Sequence, residues 1–61
     1  MIKIIMKNGT VYENDPQYGY NLDRVSDILD CLRIAGKYCL ATKVIPNINI
    51  YADEVQDVIE E

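Results

Sequence analysis

Polar and apolar positions alternate from the start of the chain. Ile2, Ile4 and Met6 fall on one side of an extended segment, and Lys3, Ile5 and Lys7 fall on the other. A period of two is that of a half-buried β-strand. Asn8-Gly9 follows at once. Both residues tolerate the positive φ of a type I′ turn, so the pattern predicts a hairpin with a two-residue loop and a return strand from Thr10 to Glu13. That register sets Lys7 opposite Thr10, Met6 opposite Val11 and Ile5 opposite Tyr12. It places Val11 with Ile2, Ile4 and Met6 on the core face, and Tyr12 with Ile5 on the other.

The period changes after the loop-forming stretch 14–21, where Asp15-Pro16 and Gly19 favour turns. Leu22, Val25, Ile28, Leu29, Leu32 and Ala35 recur at spacings of three and four, predicting a helix over 22–35 with one apolar arc. Asn21 is placed to cap its start, and Gly36 to stop it. Asp23 near the beginning and Arg33 near the end complement the helix dipole.

Residues 38–45 then read as a strand, Pro46-Asn47 as a turn and 48–51 as a further strand. Asp53 and Gln56 have the spacing of a helix start, and Val55, Val58 and Ile59 have helical spacing. Glu60 and Glu61 would crowd the negative end of a longer helix, so a 3₁₀-like turn at 53–56 and a strand at 57–60 are expected. The order β-β-α-β-β-(3₁₀)-β predicts an α+β domain over 1–61. It would hold a small antiparallel sheet of about four or five strands, curled or barrel-like, with one amphipathic helix covering a face.

Composition narrows the function. A chain of 61 residues buries only roughly 60% of its unfolded surface, which favours a staple or a partner. The net charge is −4, and the six basic residues are scattered. Nucleic-acid and anionic-membrane binding are therefore not expected, because both need clustered Lys and Arg. The first residues carry no signal-peptide pattern, so a cytoplasmic location is expected. Two cysteines, Cys31 and Cys39, are too few for a disulfide scaffold and are expected to be reduced packing residues.

The chain has no histidine. That removes the commonest general base and metal ligand, together with every Ser-His-Asp and Cys-His arrangement. No glycine-rich phosphate loop is present. Asp23, Asp27 and Asp30 cluster on the polar side of the helix, where a magnesium site is the chemical reading and a solvated face the plainer one. The same choice, acidic patch or solvated tail, applies to Asp53, Glu54, Asp57, Glu60 and Glu61. The expectation is a non-enzymatic protein with no cofactor, metal or small-molecule substrate.

All five aromatic residues are tyrosines. Their apolar bodies and polar tips suit interfaces. Tyr12, Tyr18 and Tyr20, with Ile5, Ile34, Asp23, Asp27 and Asp30, form the expected partner-binding set. The partner would be another protein, or a second copy in a homodimer. A structural homo-oligomer is the alternative, and a metal-dependent or nucleic-acid-related activity a more distant one.

The two ends, Ile-Lys-Ile-Ile-Met-Lys-Asn-Gly and Ile-Tyr-Ala-Asp-Glu-Val-Gln-Asp-Val-Ile-Glu-Glu, resemble those of many short proteins of Gram-positive bacteria and their phages. The resemblance covers about a third of the chain and reflects hairpin and turn chemistry. It implies a β-rich, barrel-like domain with a one-turn helix before the last strand. With the acidic surface, it fits a phage- or mobile-element-encoded modulator of a host protein.

Overall fold

A computed structural model describes residues 1–61. The elements are β1 (Ile2–Met6), β2 (Val11–Asn14), α1 (Val25–Ala35), β3 (Lys37–Leu40), β4 (Ile48–Tyr51), a 3₁₀ turn (Ala52–Glu54) and β5 (Val55–Glu60). This is the expected α+β order. The strands divide into an antiparallel sheet ordered β2-β1-β5 and an antiparallel pair β3-β4.

β1 lies between two neighbours and divides its backbone groups between them. Met1 and Glu61 exchange hydrogen bonds at 2.7 and 3.0 Å. The β1–β5 register carries that relation to Lys3–Ile59 and Ile5–Asp57. Hydrogen-bonded and non-bonded pairs alternate along an antiparallel ladder, so the odd positions of β1 bond to β5 and the even ones to β2. Even-numbered side chains share one face, where Ile2, Ile4 and Met6 are buried. Val58, opposite Ile4, joins them from β5.

The β1–β2 hairpin departs from the expected register. Ile5 faces Val11 and Ile4 faces Tyr12. The loop holds three residues, because the Met6 N–H donates to the Thr10 C=O at 2.8 Å and the Gly9 N–H to the Met6 C=O at 3.0 Å. Only Gly9 has positive φ (92°) in this loop, so it forms the bulge of a three-residue turn. The Asn8 carboxamide oxygen accepts the Thr10 N–H at 2.9 Å. This one-residue shift exchanges the two faces of β2. Val11 turns outward and is 51% exposed, beside Ile5 rather than in the core. Tyr12 moves from Ile5's face to the edge of the core, and Asn14 becomes fully buried.

α1 begins three residues later than expected, at Val25, and its N-terminus has no side-chain cap. Asn21 is engaged elsewhere, as described below. The helix stops at Gly36, whose N–H bonds to the Leu32 C=O at 2.9 Å. Its buried stripe is Ile28 and Leu32, flanked by Val25 and Cys31. Leu29 is 47% exposed and Ala35 is also exposed, so both leave the expected apolar arc. The stripe packs against β3 and β5. Tyr38 and Leu40 of β3 face Ile50 and Ile48 of β4, completing the core between the two sheets. Ile4, Ile28, Leu40 and Ile50 are wholly buried, and each contributes about 1.5–3 kcal/mol. β3 ends at Leu40 rather than Ile45, because the Ala41 backbone is taken up by Asn21.

Both polar side-chain atoms of the buried Asn14 have partners. The Tyr38 hydroxyl donates to the Asn14 carboxamide oxygen at 2.6 Å and accepts the Leu22 N–H at 2.9 Å. The Asn14 amide donates to the Leu22 C=O. Two side chains thus satisfy both backbone groups of Leu22 and tie β2, the segment before α1 and β3 together.

Tyr38→Phe removes the shared hydroxyl and leaves the Asn14 oxygen and the Leu22 N–H unpaired. A loss of about 1–3 kcal/mol is expected in urea unfolding at pH 7. Burial raises the Tyr38 pKa above 10.0, the Leu22 N–H partly opposes it, and the Cys31 and Cys39 thiols add to it. The unfolded chain therefore loses this proton first. The contribution is complete below pH about 10 and disappears as pH rises through the raised folded value. Tyr38→Phe is expected to flatten this part of the alkaline stability profile.

Candidate functional site

A cleft of about 430 Å³ lies beside β2. One wall is Val11, Tyr12 and Glu13 of that strand. The opposite wall is Thr42, Lys43 and Val44, from the loop joining β3 to β4. Asp15 and Tyr18, from the segment before α1, and Met1, ahead of β1, complete the lining.

Each wall is held by side chains pairing with backbone. The end of β2 is fixed by buried Asn14 through Tyr38 and Leu22. The far wall is fixed by Asn21. Its amide donates to the C=O of Asp15 and of Ala41, both at 2.8 Å, and its oxygen accepts the Ala41 N–H at 2.8 Å. This two-way pairing with Ala41 replaces a strand partner and ends β3. Beyond it the chain turns sharply, with the Thr42 N–H on the Ile45 C=O at 2.7 Å and the Ile45 N–H on the Thr42 hydroxyl at 2.9 Å. Gly19 packs directly against this junction. A Cβ there would stand 2.9 Å from that of Ala41, and its φ of +54° is left-handed.

Tyr12 and Tyr18, both expected at an interface, meet in this cleft. The other expected residues lie elsewhere. Tyr20 is wholly exposed outside the cleft lining, and Ile5 is half-buried on the outer face of β1. Ile34 is 74% exposed on α1, and Asp27 and Asp30 are exposed on the same helix. Asp30 is paired with Arg33 at 3.4 Å. Asp23 borders a smaller hollow with Pro16, Asn14 and Glu60. The expected set is therefore scattered: Tyr12 and Tyr18 line the cleft, Ile34, Asp27 and Asp30 lie on α1, and Ile5, Tyr20 and Asp23 belong to neither.

Val11, Glu13, Lys43 and Val44 were not expected at a site. Val11 depends on the hairpin register, and Lys43 and Val44 read as strand. No three His, Cys, Asp or Glu side chains converge as metal ligands, so Asp23, Asp27 and Asp30 form no shared ion site. Cys31 and Cys39 are both free. Their thiols donate to the Lys37 C=O at 3.3 Å and to the Asn47 carboxamide at 2.7 Å. Cys39 is exposed rather than packed in the core.

Of the acidic C-terminal residues, Glu60 and Glu61 are tied to the sheet by ion pairs. Glu60 meets the Met1 amino group, and Glu61 meets Lys3, each at 3.0 Å. The hydrogen bond and the charge of Glu61 both raise the Lys3 pKa. No helix is long and apolar enough to cross a membrane. Compared with protein families, curated proteins and solved structures, the chain finds no match.

Asn21→Ala is expected to leave the Ala41 N–H and C=O without partners, at a cost of about 1–3 kcal/mol in urea unfolding. Faster hydrogen exchange of the Ala41 amide would locate the loss at the loop. Unchanged exchange there would show that Asn21 does not hold the wall.

Proposed function

We propose that this protein is a non-enzymatic interaction module that captures another protein in the cleft between β2 and the 41–47 loop. One observation carries the reading. Two walls anchored by side-chain amides present Tyr12, Tyr18, Val11 and Val44 together, and Val11 and Val44 are well exposed. An apolar centre of aromatic and branched side chains with charged groups at its margin has the make-up of a binding patch. Anchored walls also reduce the ordering cost of association.

Charge favours a different protein over a second copy. A net charge of −4 is doubled in a homodimer, whereas a basic partner is attracted.

The test compares capture from a cell lysate by immobilised wild type, Val44→Lys and Ile34→Ser. Val44 is 87% exposed, so its replacement leaves the core intact. Wild type and Ile34→Ser are expected to retain the same partner, and Val44→Lys to lose it by about tenfold or more, the loss of one well-placed contact. Loss with Ile34→Ser alone would assign recognition to α1 instead. A dimer mass in sedimentation, with no captured protein, would replace the reading with self-association.

A further inference from the structure

The edge of β2 carries unmet hydrogen-bonding capacity next to an apolar hollow. Met6 and Thr10 are a hydrogen-bonded pair, and pairing alternates along the strand, so Tyr12 and Asn14 direct their backbone groups toward β1. Val11 and Glu13 direct theirs away from it. No strand lies on that side, since β2 ends its sheet. The same two residues line the cleft.

We infer that an extended, basic segment of the partner adds to β2 as a further antiparallel strand, placing an apolar side chain between Tyr12, Tyr18 and Val44. This rests on the interaction reading above and specifies its chemistry. A segment of this form would complete the backbone pairs of Val11 and Glu13. Strand addition draws affinity from main-chain bonds and selectivity from pockets for alternate side chains. The choice of a basic occupant follows from charge. The chain carries a net charge of −4, and Glu13 and Asp15 at this edge form no ion pair, with Lys3 opposite Glu13 in the β1–β2 ladder and Lys43 and Met1 sharing the cleft lining. A second copy would bring its own Glu13 and Asp15 to this edge, so like charges oppose β2–β2 pairing.

The geometry supplies a selective variant. Glu13 points its N–H outward, so proline at this position removes an edge donor without breaking the bonds to β1. Glu13→Pro is expected to stay folded and to lose strand addition, while Glu13→Gln tests charge alone. The probe is a synthetic peptide of alternating Lys and Val, with an alternating Glu and Val peptide and an alternately N-methylated Lys-Val peptide as controls.

At saturating Lys-Val peptide, amide hydrogen exchange at Val11 and Glu13 is expected to slow about tenfold, equivalent to one net hydrogen bond. Glu13→Pro and N-methylation are each expected to weaken binding by a similar factor, with the acidic peptide weaker than the basic one. Three results would overturn the inference: unchanged Val11 and Glu13 exchange, equal binding by the N-methylated peptide, or equal binding by the acidic peptide. If Val44→Lys still abolishes lysate capture under any of these, the interaction reading stands and only strand addition fails. Slow exchange at Val11 and Glu13 in a peptide-free dimer would make a second copy the occupant and also overturn it.

Discussion

Three hydrogen bonds in the interior hold the two halves of this small fold in register. Asn14 is fully buried, although carboxamides usually remain near water. It is tolerated because Tyr38 and Leu22 complete its bonding. Leu22 in turn has both backbone groups satisfied by side chains from β2 and β3. No buried side-chain nitrogen or oxygen is left without a partner. Hydrophobic contact alone is non-directional. The Asn14–Tyr38–Leu22 junction adds direction, because a shift of β2 by one residue would replace the buried Asn14 with a neighbour from the outer face.

The cleft is a consequence of that junction and of the Asn21 latch. β2 stops at Asn14, the following segment packs Gly19 against Ala41, and β3 stops where Asn21 grips Ala41. The chain leaves the strand past Leu40, and Thr42, Lys43 and Val44 line the cleft together with residues of β2. In a chain of 61 residues the core is thin, so a few directional contacts carry much of the shape. The same contacts give the walls their rigidity, which links packing to the proposed binding.

Element order was readable because each element had a local cause: alternation in β1, a three-and-four repeat around Ile28 and Leu32, Gly36 after the helix, and Asp53-Glu54 before β5. The 3₁₀ turn and final strand appear within two residues of their expected positions. What local pattern could not decide was register. Asn8-Gly9 suits a two-residue I′ loop and equally a three-residue loop with Gly9 as the bulge. The choice exchanges Val11 for Tyr12 and Asn14 at the core, and it depends on partners from distant parts of the chain. Asn21 misled for a related reason. Its side chain can cap a helix, but tertiary contacts with Asp15 and Ala41 offer it three bonds. Of the candidate site, Tyr12 and Tyr18 were legible from composition. Val11, Glu13 and Val44 were not, because their exposure follows from register and from the interrupted β3.

Stability of this arrangement depends on pairing between groups rather than on either side chain alone. Removing one buried partner strands the other, whereas replacing both with apolar groups can be nearly neutral. The most direct test is a double-mutant cycle on Asn14→Leu and Tyr38→Phe, read by urea unfolding at pH 7. The double variant is expected to lose less than the sum of the single losses, with a coupling of about 1 kcal/mol or more. Additive losses would mean that Asn14 and Tyr38 do not act together and that the junction does not set the position of β2.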